Sequence, residues 1–169
     1  MNVAETARLR MRWLDAGDGA FILQLVNEPS WLRYIGDKGV RTLEDAVRYI
    51  ENGPVAMYAR AGFGLYHVAL KETGEAIGIC GLIKRDGLAD VDLGFALLPA
   101  FWRSGYAFEA ACAVLSYGKD VVGLTRIVAI VTPDNLRSTS LLERLGFVRD
   151  GSVRFDPDRE ELALYARAT

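Results

Sequence analysis

Histidine, cysteine and long apolar runs are all scarce in this chain, and each shortage closes off a class of function. There is one histidine, His67, and there are two cysteines, Cys80 and Cys112, in 169 residues. A Ser/His/Asp triad would have to use His67, which lies in the strand-like run FGLYHVAL on the side of Phe63, Leu65 and Ala69 with no nucleophile elbow beside it. His67 therefore reads as structural. The cysteines have no metal-ligand spacing around them and read as small buried hydrophobes, so no metal is expected. The longest apolar strings, such as IVAIV at 127–131, fall far short of the ~20 residues that span a bilayer, and the opening MNVAETARLRMRW has no apolar signal core. The expectation is a cytoplasmic protein with no membrane partner. A formal net charge of -2 supplies no global basic field, which argues against nucleic acid as a partner and requires any anion binding to be local. With 51% hydrophobic and 25% charged residues the composition is that of a globular protein, and the length fits one domain over 1–169.

What is present is concentrated in residues 90–110, DVDLGFALLPAFWRSGYAFEA. Val91, Leu93, Phe95 and Leu97 alternate with Asp92, Gly94, Ala96 and Leu98 as a strand should, and Pro99 stops ladder pairing because it has no N–H to donate. Ser104 is the expected cap of a following helix, with Gly105, Tyr106 and Ala107 presenting N–H groups that have no intrahelical partner. At the positive end of the helix dipole, those amides suit a phosphate or pyrophosphate. Ala107 stands where a capping-box acid would compete for them, and Glu109 lies further in. Phe108, Ala111, Cys112 and Leu115 recur at helical spacing as the face packed on a sheet. An ordinary strand-turn-helix corner, its amides satisfied by water or by Ser104, has the same pattern.

Elsewhere, Leu9, Met11 and Trp13 alternate with Arg8, Arg10 and Arg12 as a half-buried strand. Asp15 caps a helix holding Ala20, Phe21, Leu23, Leu25 and Val26, and a shorter piece runs from Trp31 to Ile35. Thr42 begins another helix, with Glu44 and Asp45 in its first turn and Asn52-Gly53-Pro54 ending it. Residues 64–70 and 75–85 form a hairpin across KETG. After the helix from Ser104 to about 120, residues 126–132 are a buried strand, residues 135–145 a helix stopped by Gly146, and residues 147–155 and 161–168 a final antiparallel pair. The expected fold is α/β (α+β): a mixed, mostly antiparallel sheet of about seven strands, helices on both faces, and one right-handed parallel crossover whose strand ends hold the ligand.

Residues 90–110 and TPDNLRSTSLLERLGF at 132–147 resemble the two signature blocks of the GNAT acetyltransferases, and most closely the Rim-like branch, the ribosomal-protein N-terminal alanine acetyltransferases and their relatives. The resemblance extends to ETARLRMR and NEPSWLRYIGDKG near the start. It implies an acyl-coenzyme A fold in which the pantetheine arm pairs, as an extra strand would, with backbone groups near Phe95 and Leu97. The pyrophosphate would then lie on the turn Trp102, Arg103, Ser104, Gly105, Tyr106 and Ala107. The family's turn pattern, Gln or Arg, two residues, Gly, one residue, then Gly or Ala, is matched by Gly105 and Ala107, with Trp102 in first position. Arg103-Ser104 replaces the Gly-Lys more usual in this branch, so a lysine donor is missing and Arg103 is the candidate replacement. Asn135 matches the asparagine that contacts the cofactor arm, and Ser138 the serine that follows it; both also suit helix capping.

Many GNAT enzymes protonate the departing thiolate with a tyrosine at the position that is Leu142 here, which leaves Ser138, by similarity, to hydrogen-bond the sulfur. The implied chemistry is direct attack of a primary amine, from a protein N-terminus or a small molecule, on acetyl-CoA, with a backbone N–H near Phe95 or Ala96 stabilising the oxyanion. Asp92 stands at the place of an acidic residue that serves as base in some members; a water chain is the alternative. Residues 28–38 and 153–159 would set acceptor specificity, with Trp31, Tyr34, Asp37, Phe155 and Asp156 forming an acidic, aromatic mouth. A homodimer partner is compatible with the sequence. Two other classes share some of these features: a non-catalytic acyl-CoA sensor, consistent with Leu142, and a dinucleotide-binding enzyme, which the absence of a three-glycine fingerprint disfavours.

Overall fold

Leu9 and Met11 are wholly buried while Arg8 and Arg10 face solvent, and that alternation makes residues Leu9–Trp13 a strand, β2. The structure, a computed structural model, describes residues 1–169. It contains one eight-stranded sheet in the order β1-β2-β3-β4-β5-β6-β8-β7. The remaining strands are β1 (Asn2–Glu5), β3 (Leu65–Leu70), β4 (Ala76–Ile83), β5 (Asp92–Leu97), β6 (Arg126–Val131), β7 (Val148–Val153) and β8 (Leu162–Ala168). Every neighbouring pair is antiparallel except β5 and β6, which are parallel and are joined across helix α5 (Tyr106–Tyr117). The strand beyond the expected number is β1, a short, partly exposed edge whose register slips at Asn2/Ala4, too irregular to carry a period-2 signal.

Helices cover both faces. On one, Ala110, Ala111, Val114 and Leu115 of α5 and Leu141 and Leu142 of α6 (Leu136–Arg144) pack with Leu9, Met11, Val68, Cys80, Leu82 and Leu93. On the other, α1 (Gly19–Val26), α2 (Pro29–Tyr34) and α3 (Leu43–Ile50) bury Ile22, Leu25, Trp31, Ala46 and Ile50 against Leu14, Ile79 and Leu98. Fully burying each such aliphatic side chain contributes about 1.5–3 kcal/mol, which is what fixes the helices to the sheet. The buried face of α5 is centred between Ala110 and Leu115, so Cys112 falls off its edge and is exposed rather than buried; Cys80 is buried as expected.

Thr42 does start α3, and with Asp45 it forms a capping box. The stop expected at Asn52-Gly53-Pro54 is absent. The chain widens into a π turn at Glu51–Val55, where the Ala56 N–H reaches back to Glu51 O, and then continues as α4 (Ala56–Ala61) to Gly62 at φ 78°. The wider turn bypasses the residue with no N–H to give, so proline is carried without ending the helix. Its consequence is positional: the side of this bulge faces the cavity described next.

Candidate active site

Strands β5 and β6 share one register pair, Asp92 with Val128, and then diverge. Along β5 the even-numbered residues bond to β4, as the Leu98 N–H to Ile77 O bond shows, so Phe95 and Leu97 turn their backbone groups toward the gap. The Ala96 amide therefore belongs to the β4 ladder, opposite Ile79, and is no oxyanion donor; of the expected pair, the Phe95 N–H is the free one. The Leu97 carbonyl accepts from Trp102 Nε1 at 3.0 Å, so Leu97 keeps only its N–H for a ligand. The gap opens into a cavity of about 610 Å3 lined by Phe95, Ala96, Leu97, Asn135, Ser138 and Leu142 among others.

At the C-terminal end of β5 the chain makes the turn that starts α5. The helix is capped by Gly105 at φ 81°, not by Ser104, whose side chain bonds to nothing. The reason is that Arg103 and Gly105 both take left-handed backbone, φ 63° and 81°, which carries Ser104 outward. From residue 103 to 108 no backbone N–H has a protein acceptor; the first helical bond is Glu109 N–H to Gly105 O at 3.0 Å. A left-handed arginine costs about 1–2 kcal/mol, and here it serves to point successive amides into one cradle.

A residue not singled out in the sequence holds this cradle in place. Arg8 donates from Nε to Glu109 Oε2 at 2.7 Å and from Nη1 to Ser104 O at 2.8 Å, and its guanidinium lies 4.3 Å from the Tyr106 ring centroid. Burial pulls the Glu109 carboxyl pKa up, but hydrogen bonds from Thr6 and Arg8 outweigh it and hold the group below its ordinary value. The carboxylate is thereby turned away from the free amides. Around the cradle, Arg137 stacks 3.4 Å above the Trp102 ring and Arg144 lies 4.8 Å from the Phe108 ring. Neither these two nor Arg103 has a carboxylate partner, and all three line the cavity.

Asn135 caps α6, its Oδ1 accepting the Ser138 N–H at 3.3 Å, which leaves its NH2 group free. The Ser138 hydroxyl has no partner and faces the cavity, and Leu142 is buried in the cavity wall with no proton to give. Asp92 is 1% exposed and accepts from Arg85 Nε at 3.0 Å. Burial pushes its pKa up, and the Arg85 charge and hydrogen bond offset this only in part. Arg85 itself has no family signature and was not legible before the fold placed it beside Asp92.

The expected acidic mouth is not present. Trp31 and Tyr34 line the cavity, but Asp37 is paired with Arg41 at 2.5 Å, Asp156 turns back on the Asp158 N–H, and Phe155 lies over Gly87. Glu28 and Asp92 are the lining carboxylates, against Lys38, Arg60, Arg85, Arg103, Arg137 and Arg144. His67 is buried between Phe21 and Asp18, remote from this cavity. No helix is long and apolar enough to cross a membrane.

A parallel pair that splits over a helix-borne amide cradle can hold an anion on an extended arm, and the chain belongs to the acetyltransferase (GNAT) domain family, whose pattern residues 8–148 match. It is by family an N-acetyltransferase. Over 154 residues it is 30% identical to the N-acetyltransferase YoaA of Bacillus subtilis (strain 168), covering 90% of this chain and 86% of that one. The acetyltransferase from Agrobacterium tumefaciens str. C58 has the same fold, with a TM-score of 0.83 at 27% identity over 99% of this chain and 94% of that one. RimL, a ribosomal L7/L12 α-N-protein acetyltransferase solved in complex with coenzyme A, matches with a TM-score of 0.84 at 18% identity over 99% of this chain and 98% of that one, a likeness of fold.

Proposed function

We propose that the protein transfers an acetyl group from acetyl-CoA to a primary amine, acting in the cytoplasm as one domain over residues 1–169. The observation that carries this reading is the cradle of unpartnered amides at residues 103–108, facing unpaired arginines and continuous with the free edge of β5. Inorganic anions alone would not need that edge; an anionic head on an extended amide-bearing arm uses all three features. Bound acetyl-CoA supplies an activated thioester.

In this reading Trp102, Arg103, Ser104, Gly105, Tyr106 and Ala107 receive the pyrophosphate, with Arg137 and Arg144 as further phosphate partners. Phe95 and Leu97 hold the arm along β5, Ala96 contributes its side-chain face, and the Asn135 NH2 group donates to an arm carbonyl. The Phe95 N–H takes the charge that develops on the thioester oxygen. Asp92 accepts the amine proton; a carboxylate whose pKa is raised toward neutrality is a better base than an ordinary one. The Ser138 hydroxyl hydrogen-bonds the departing sulfur, which needs little help because a thiolate leaves readily near neutral pH. A non-catalytic acyl-CoA sensor is the second reading, favoured by the apolar Leu142. Calorimetric titration with acetyl-CoA tests both: micromolar binding that disappears when Gly105 is replaced by a bulky residue supports the site, and no binding overturns it.

A further inference from the structure

Beside Asp92, at the opposite end of β5 from the amide cradle, the cavity carries cationic donors that the acetyl-CoA site does not use. Arg85 donates from Nε to Asp92, and its terminal nitrogens have no protein acceptor. The Lys38 ammonium lines the same cavity and forms neither an ion pair nor a hydrogen bond, and the Tyr49 hydroxyl nearby is likewise unbonded. Lys38 is an exposed residue on the cavity wall, and partial loss of water together with the Arg85 and Arg159 charges sets its pKa below the usual value. Only Asp92 offsets them directly, and it is already engaged by Arg85.

We propose that the acceptor amine also bears a carboxylate, which docks on the terminal nitrogens of Arg85 and on Lys38 while the amine lies at Asp92. The inference rests on the acetyltransferase reading and names the acceptor's chemical class. Its physical basis is that a guanidinium with its Nε fixed still presents a planar pair of N–H groups, which fits a carboxylate bidentately. Asp92 and Arg85 are in direct contact, so a molecule whose amine and carboxylate are close together meets base and anchor at once. Glu28, the other lining carboxylate, adds the sign of charge that suits an amine. A purely cationic acceptor would bring like charge to Lys38 and Arg85. The carboxylate has two sources of the same chemistry: a free amino acid, or an acidic side chain near a peptide N-terminus.

The experiment compares kcat/KM, by thiol release from acetyl-CoA, for free amino acids against their carboxamides and for short peptides beginning Ala-Glu against Ala-Gln. The charged member of at least one pair should lead by about tenfold or more, the scale of a hydrogen-bonded charge pair. The first pair responding identifies an amino acid, the second a peptide. Lys38→Gln should shrink the leading ratio several-fold, and Lys38→Glu should bring it below one. Equal or faster acetylation of the uncharged members in both pairs, a preference for polyamines, or no transfer to any carboxylate-bearing amine overturns the inference. Calorimetry with acetyl-CoA on the same samples keeps the two claims apart, since a protein that binds the thioester and acetylates only uncharged or cationic amines retains the transferase reading and loses this one.

Discussion

Replacing Arg8 by methionine should both destabilise the protein and weaken acetyl-CoA binding, because Arg8 ties the β1–β2 edge to the turn that forms the cradle. The guanidinium's side chain is 45% exposed and Glu109's 18%, so the ion pair contributes only about 0.5 kcal/mol after screening. The bond to Ser104 O adds about 0.5–1.5 kcal/mol and the contact with the Tyr106 ring about 0.5 kcal/mol. The expected loss is therefore about 2 kcal/mol, or roughly 4–8 °C in Tm for a chain of this size. Glu109 would keep Thr6 and the Arg8 backbone N–H as donors, so the helix itself should persist. With its outer tether gone, the turn at 103–105 should leave its left-handed geometry part of the time, and acetyl-CoA Kd should rise about tenfold. Thermal unfolding and calorimetry on wild type, Arg8→Met and Arg8→Lys give the answer, with the lysine intermediate because it cannot bridge Glu109 and Ser104 at once. An Arg8→Met protein with unchanged Tm and unchanged Kd would refute the reasoning.

Asp92→Asn should lower the transfer rate about a hundredfold, the low end of general-base contributions, and wild-type kcat/KM should rise with pH through a value above the ordinary carboxylate range. Asn135→Ala should cost about 1 kcal/mol in urea denaturation and also weaken acetyl-CoA binding, whereas Asn135→Ser should restore the cap and leave the affinity low. Burial holds the His67 pKa below its unfolded value, with Arg12 adding to the effect and Asp18 opposing it. The unfolded chain therefore takes up a proton that the native state refuses, and stability should fall as pH drops below about 6.5. His67→Gln should flatten that slope between neutral pH and about pH 5, and a slope unaltered by the substitution would contradict this account.

The alternation in 91–98, the hairpin across KETG and the β-branched run at 126–131 put the sheet and its crossover within reach of the sequence, because each signal is local and periodic. Gly105 and Ala107 likewise located the cradle. What could not be read was where local rules yield to neighbours. Pro54 looked like a stop because a sequence shows the missing N–H and not the π turn that bypasses it. Ser104 looked like a cap because its own side chain is a good one, yet the left-handed Arg103 swings it out. Ala96 and Phe95 looked interchangeable as oxyanion donors until the register with β4 assigned one amide to the ladder. Arg8 and Lys38 lie in segments the sequence marks only as a strand and a specificity loop, and Arg85 at the end of a hairpin strand; their roles appear only because Glu109, Asp92 and the cavity wall come to them from elsewhere in the chain.

The most direct test of the central claim is to incubate purified protein with isotope-labelled acetyl-CoA and a panel of primary amines, measuring free thiol and labelled amide in the same reaction. The account predicts that both appear in equal amounts, over many turnovers, with at least one acceptor. Tight binding of acetyl-CoA with no labelled amide from any acceptor, and thiol no faster than the protein-free control, would contradict it and leave the amide cradle as the site of a sensor.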